Sequence, residues 1–301
     1  PSMKKWVDYI TSHTQERYLW IGGNHYGDCL GLDAPAGSYK GSSRDDLIAS
    51  AYYAYSTELL IKAGEALGQN MSKYRNLYEN IVTAFRKRFP SFRTQTECAL
   101  AVHFRLAEDC QSVADRLACL IEDAGTKLQT GFVGTPYLLH ALSGYGHANL
   151  AYSLLLRETY PSWLYPVTKG ATTIWEHWDG IMENGEFWSS DMNSFNHYAY
   201  GAVADWVYCV AAGIQTIEGY PGYEKVKIAP EPDSRLDWLG ASLDTRNGRI
   251  SSRWTKEGTR WRYEVETCVD AEIVIDGEMR EMKAGRYLFY GRMREIMGHF
   301  R

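Results

Sequence analysis

The sequence predicts a mainly helical chain with a β tail: a toroid of paired helices over residues 1–213, followed by a β-sandwich over 214–301. Two observations carry this. Apolar residues recur at spacings of three and four in successive pairs of segments separated by Gly-containing breaks, and after Gly213 the texture changes to short alternating runs with turn signals. A third, a Trp-rich stretch with neither period, interrupts the helices and marks where chemistry should be sought.

A short helix near 3–14 opens the series. Ile48, Tyr52, Tyr55, Leu59, Ala63 and Ala66 then line one face of a helix, the Gly68-Gln69-Asn70 break turns the chain, and Tyr74, Leu77, Ile81 and Phe85 line the next. A second hairpin is expected at about 94–107 and 111–124, and a third at about 135–143 and 147–157, split by Gly144-Tyr145-Gly146. A long helix at about 191–213 closes the set, giving about eight helices where a closed ring of six hairpins takes about twelve, so the ring is expected to be incomplete. Exposed helix faces of a partial ring would favour self-association.

In the tail, Trp261, Tyr263 and Val265 alternate with Arg260, Arg262, Glu264 and Glu266, the pattern of a strand with one buried face. Glu272 to Ile275 runs into Asp276-Gly277, a tight-turn signal. With runs at 226–228, 250–254 and 287–290, roughly six to eight strands are expected, enough for a small sandwich.

The composition, 45% hydrophobic and 23% charged, is that of an ordinary globular protein. A net charge of −5 without any Lys/Arg run speaks against nucleic acid or a membrane surface as partner, since phosphates would be repelled. No run approaches the roughly 18 apolar residues of a membrane span, and no signal-peptide pattern opens the chain. Cys29, Cys98, Cys110, Cys119, Cys209 and Cys268 form no C-x-x-C pair. Cys98, Cys119 and Cys209 fall in apolar helical patterns and read as small buried hydrophobes, so reduced thiols in a cytoplasmic protein are expected. Ten Trp and 22 Tyr exceed what a routine core needs, and such rings stack on the C–H face of a pyranose, although a Trp-rich core explains any one of them.

The richest chemistry lies between residues 170 and 203. Glu176 stands between Trp175 and Trp178, and a carboxylate partly desolvated by rings becomes a better proton acceptor near neutrality. On composition alone the plainer reading, a solvated loop carboxylate beside two core tryptophans, is the stronger. His197, with Asn193 and Asn196 nearby, is expected at the start of the last helix, where it would donate to a sugar hydroxyl or orient a water, or else be satisfied within the helix start. His25 and Asp28 sit in the Gly-rich turn 22–28, which lacks the Walker lysine and the G-x-G-x-x-G spacing. No third ligand stands at a recognisable spacing from them, so neither a metal nor a cofactor is called for.

The blocks TGFVGTPYLLHAL (130–142), YPSWLYPVTKGATTIWEHWDG (160–180), MNSFNHYAYGAVADWVY (192–208), IAPEP (228–232) and GRISSRW (248–254) together resemble glycoside hydrolase family 78, the bacterial α-L-rhamnosidases. The similarity runs from about residue 3 to about 289, and TTIWE and SFNHYA are its specific parts.

That resemblance implies an (α/α)6 barrel followed by a β-sandwich, and hydrolysis of terminal α-L-rhamnosides with inversion. It implies Glu176 as general base and His197 as a sugar or water contact, and it matches Gly27-Asp28 to a Gly-Asp turn of the family. Trp175, Trp178, Asp179, Trp188 and Asn196 complete the implied sugar pocket. One departure is Cys29, where the family usually has Trp; the other is that the family's general acid, in an acidic Trp-containing motif, matches nothing from Pro1 onward and belongs upstream. Without that acid the leaving group departs unprotonated, a loss on the order of 10²–10⁴ in rate. Two readings therefore stand beside the hydrolase: a silent sugar-binding fragment, and another α/α-barrel glycosidase or lyase.

Overall fold

The computed structural model describes residues 1–293 and divides into two compact units, 1–203 and 204–301, each taken by itself below. The first opens with α1 (Ser2–His13) and continues as three antiparallel hairpins: α2 (Asp45–Ala66) with α3 (Ser72–Arg88), α4 (Gln95–His103) with α5 (Cys110–Asp123), and α6 (Thr135–Ser143) with α7 (Ala148–Leu155). α4 packs on α2 and on α6, so the first members of the hairpins form an inner row, with α3, α5 and α7 behind them.

Burial follows that layering. On α3 only Tyr74, Leu77, Ile81 and Phe85 are buried, one stripe at helical spacing, as the sequence pattern requires. On α4 every residue from Gln95 to Val102 is buried, because the helix is covered on all sides. Local chemistry sets its start: Thr94 Oγ1 accepts the N–H of Glu97 at 3.1 Å, and at the head of α5 Asp109 Oδ1 accepts the N–H of Ser112 at 3.0 Å.

The long helix expected at 191–213 is much shorter. Helical backbone begins only with a 3₁₀ turn at Ala199–Ala202, continues as α9 (Val203–Trp206), and ends in a π turn at Val207–Ala211. Residues 191–198 are irregular because their backbone groups are spent on the segment before them. A short helix absent from the sequence reading, α8 (Leu164–Thr168), lies in the Trp-rich stretch. The cysteine expectation is corrected in part: Cys98 is buried, but Cys119 is exposed on α5 and Cys209 is only half-buried, with its thiol on Asp205 Oδ1 at 3.6 Å.

The second unit is a sandwich of two four-stranded sheets, in the orders β1-β2-β6-β7 and β3-β4-β5-β8. Its strands are β1 (Ile214–Thr216), β2 (Val226–Ile228), β3 (Trp238–Thr245), β4 (Gly248–Glu257), β5 (Arg260–Thr267), β6 (Ala271–Ile275), β7 (Glu278–Met282) and β8 (Gly285–Arg292). Asp276 and Gly277, both at positive φ, close the β6–β7 hairpin with Ile275 opposite Glu278. Trp261, Tyr263 and Val265 point into a core shared with Ile228, Ile250, Trp254 and Ile273. Trp254 is fully buried and its indole N–H donates to Ala211 O at 2.8 Å, so the ring contributes apolar burial without leaving a polar atom unpaired.

Candidate active site

The 173–180 and 192–198 runs are clamped together by backbone. Glu176 N–H donates to Ser194 O at 2.8 Å and His197 N–H to Ile174 O at 2.8 Å, and the side-chain Nδ2 of Asn193 adds a bond to Gly180 O at 3.0 Å. Thr173 Oγ1 adds a bond to Phe195 O. Between the two runs the chain folds back on itself where Ile181 pairs with Phe187, a reversal that uses Gly185 at φ +84°. This is why the helical period fails here.

Glu176 is half-buried. Its Oε2 accepts the N–H of Ser194 at 2.9 Å, while Oε1 has no hydrogen bond from any described residue. One oxygen is therefore fixed, and the other is free to take a proton from a water. The carboxylate stands within electrostatic reach of Cys29 and Tyr200: burial first, then Asp28 and Glu176, push the Cys29 thiol up, and burial above all, with Glu176 among its charged neighbours, does the same to the Tyr200 phenol.

His197 and Asn196 line an open cavity of about 540 Å³ together with Thr173, Ile174, Tyr198 and Gly201. The imidazole stacks on Phe132, with centroids 4.8 Å apart and planes at 13°. Its Nδ1 accepts the N–H of Ala199 at 3.3 Å, so the neutral ring carries its proton on Nε2, a donor suited to a sugar hydroxyl.

The other residues of the implied pocket do not line that cavity. Trp175 and Trp178 are buried: Trp175 meets Phe195 edge-on at 5.0 Å, and Trp178 lies face to face with Tyr200 at 3.8 Å and edge-on to Trp163 at 5.2 Å. Neither ring offers a face for stacking, so both support the clamp from within. Trp188 is half-buried and its face is taken by His177, 3.7 Å away at 11°. Asp179 binds His177 Nδ1 at 2.5 Å and lines a different cavity, of about 390 Å³, with Arg157, Tyr160 and Tyr165.

Asp28 does not reach the cavity at all. It is 1% exposed, and its Oδ1 accepts the N–H groups of Val133 and Gly134 at 2.9 and 3.2 Å, while Oδ2 accepts Gly131 N–H at 2.8 Å and Thr96 Oγ1. Its carboxylate holds the 130–134 turn, which also binds Cys29 O through Phe132 N–H at 2.9 Å. Gly131 is required for that approach, since a Cβ there would fall 2.2 Å from Cys29 O. Phe132 and His177 escaped the sequence reading; the close spacing of His177 and Asp179 was a usable signal, whereas nothing local marks Phe132. Among the described residues no group of three or more His, Cys, Asp or Glu is arranged to hold a metal.

The bacterial alpha-L-rhamnosidase 6 hairpin glycosidase domain matches residues 1–211, and the C-terminal domain of the same enzymes matches 213–286. The chain belongs to the bacterial α-L-rhamnosidase family. An alpha-L-rhamnosidase of Streptomyces avermitilis is 37% identical over 262 residues, 84% of this chain and 24% of that protein. One from Formosa agariphila is 36% identical over 289 residues, 91% of this chain and 31% of that protein. The solved Streptomyces avermitilis alpha-L-rhamnosidase, complexed with L-rhamnose, superposes with a TM-score of 0.88 at 33% identity, covering 97% of this chain and 30% of that one. The native Aspergillus terreus enzyme gives 0.89 at 30% identity, covering 97% and 36%. This rhamnosidase-family chain thus spans 24% and 31% of the length of the two curated relatives named here.

Proposed function

We propose that this chain supplies the general-base half of an inverting α-L-rhamnosidase site. The observation that carries the reading is Glu176: one oxygen pinned by Ser194 N–H, the other unbonded, on the clamp that also presents His197 and Asn196 to a cavity. Oε1 takes a proton from a water attacking the anomeric carbon of a terminal α-L-rhamnoside, and His197 and Asn196 hold the sugar's hydroxyls. The general acid, which protonates the leaving oxygen, is assigned to sequence upstream of residue 1; that the chain spans 24% and 31% of the two relatives named above is compatible with an acid outside it. Acid and base would stand about 6.5–9.5 Å apart, leaving room for the water.

Catalysis needs no metal or cofactor in this reading. The partner is a rhamnose-containing glycoside, with self-association through exposed rings such as Trp6 and Tyr9 as a further property. None of the described helices is long and apolar enough to cross a membrane. Free cysteines, from buried Cys98 to exposed Cys119, fit a reducing compartment, and we assign the protein to the cytoplasm.

The test is hydrolysis of p-nitrophenyl α-L-rhamnopyranoside by the polypeptide extended through its upstream segment. β-L-Rhamnose should be the first product seen by NMR, Glu176→Gln should abolish turnover, and azide should restore consumption of the aryl glycoside as β-rhamnosyl azide. Unchanged turnover in Glu176→Gln would sink the assignment.

A further inference from the structure

The sandwich unit carries a cleft that the hydrolase reading does not use. Strand register builds it. Val226 at the start of β2 lies opposite Ala271 at the start of β6, which lies opposite Met282 at the end of β7. One residue beyond this row, Lys225, Asp270 and Lys283 come side by side at the end of the sheet.

Tyr220 closes the cleft from a turn in which its N–H donates to Ile217 O at 3.0 Å and Gly219 takes φ +85°. Tyr220 is 45% exposed, and Lys225 Nζ stands 5.9 Å from its ring centroid. The cleft's volume is about 480 Å³, within the roughly 300–1,000 Å³ of small-ligand sites.

The charges around the cleft are arranged in pairs. Lys225 Nζ reaches Glu272 at 2.7 Å and Glu281 at 3.4 Å, Lys283 Nζ reaches Asp270 at 2.7 Å, and Glu224 is held by Arg246 at 2.7 Å. An anion entering here would have to compete with carboxylates already seated on the ammonium groups, and a cation the reverse. A polyhydroxyl compound faces no such conflict, because each hydroxyl can accept from a lysine and donate to the carboxylate beside it. Tyr220, an exposed aromatic at the cleft, supplies a ring of the kind on which the apolar side of a pyranose stacks.

We propose that this cleft is a glycan-binding site for a neutral sugar unit, one that discriminates against uronates. Such a site on the sandwich would hold a polymeric or branched substrate to the protein and raise its effective concentration. The proposal stands whether or not Glu176 is the base.

The experiment titrates the 301-residue chain with methyl α-L-rhamnopyranoside, lactose, cellobiose, maltose and digalacturonate, followed by saturation-transfer NMR. At least one neutral probe should bind, with the same affinity in Glu176→Gln and Tyr220→Phe and roughly tenfold weaker in Tyr220→Ala, as expected for a lost stacking face worth about 1.4 kcal/mol. Lys283→Met, at a side chain 85% exposed, is the second variant: its thermal melt should match the parent while its affinity falls as in Tyr220→Ala. The proposal is overturned if no neutral probe binds, if affinity ignores both Tyr220→Ala and Lys283→Met, or if digalacturonate binds in a Tyr220-dependent manner. Loss of catalysis in Glu176→Gln of the upstream-extended polypeptide, with sugar binding retained in the same protein, separates this site from the hydrolytic one.

Discussion

Glu176 and Ser194 hold each other through two hydrogen bonds: the N–H of Glu176 on the carbonyl of Ser194 at 2.8 Å, and the N–H of Ser194 on Oε2 of Glu176 at 2.9 Å. The backbone, not the serine hydroxyl, therefore orients the proposed base. Ser194→Ala should leave kcat on aryl rhamnosides near its parent value, whereas Ser194→Pro, which removes the N–H, should lower it roughly tenfold or more by loosening a general base whose whole contribution is about 10²–10⁴. Steady-state assays of both variants, with melts to confirm folding, check this.

His197 rests on Phe132 and presents Nε2–H to the cavity. His197→Ala should weaken L-rhamnose binding by about 2- to 12-fold, the range of one net hydrogen bond of about 0.5–1.5 kcal/mol. Phe132→Leu should have a smaller effect of the same sign. Calorimetric titration with L-rhamnose decides, and equal affinity in all three proteins would remove His197 from the sugar site.

Asp28 is a structural acid, and its effect should appear in pH-dependent stability. Burial pushes its carboxyl above the usual carboxylate range despite opposing hydrogen bonds from Thr96, Gly131, Val133 and Gly134. A folded-state value above the unfolded one of about 3.9 means the native state holds the proton more tightly, so the group's contribution is full below about pH 4 and is lost as pH rises through the folded value. The stability of the parent relative to Asp28→Asn should fall as pH rises above about 4 in denaturant titrations. Asp28→Ala, which strips acceptors from buried N–H groups, should cost at least about 2 kcal/mol at any pH.

Glu97 should behave with the opposite sign. Burial alone would raise it, but Arg44 binds it through Nε and Nη2 at 2.8 Å each, the N–H groups of Arg44 and Arg93 add bonds at 3.0 and 2.8 Å, and the net result lies below the usual range. Its contribution is present above the unfolded value near pH 4.3 and lost as pH falls through the folded one. Glu97→Ala should destabilise by about 3–5 kcal/mol near neutrality, because it strands a guanidinium packed into the fold. The deficit should shrink in acid, which melts from pH 3 to pH 7 will test.

Trp178 tests whether the tryptophans beside Glu176 are sugar platforms or core. Stacked on Tyr200 and almost fully buried, it should cost about 3–5 kcal/mol when truncated to Ala. Trp178→Phe should keep L-rhamnose affinity within twofold. A folded Trp178→Phe that loses sugar binding while its melt is unchanged would restore the platform role.

The sequence by itself determined the hairpins, the alternation of the sandwich strands and the family, because each is written in neighbouring residues: α3 buries the Tyr74, Leu77, Ile81 and Phe85 stripe that its spacing predicts, and the Asp276-Gly277 turn falls where its dipeptide requires. Only the tertiary structure decided which chemistry-bearing residues meet. Asp28 became a buried pin because its partners lie 68 to 106 residues away, and the start of the expected helix at 191 dissolved because Asn193, Ser194, Phe195 and His197 spend their polar groups on the 173–180 run. Periodicity registers the face a residue shows within its own element. A hydrogen bond closed across a hundred residues leaves no period, and so it is legible only once the chain has folded.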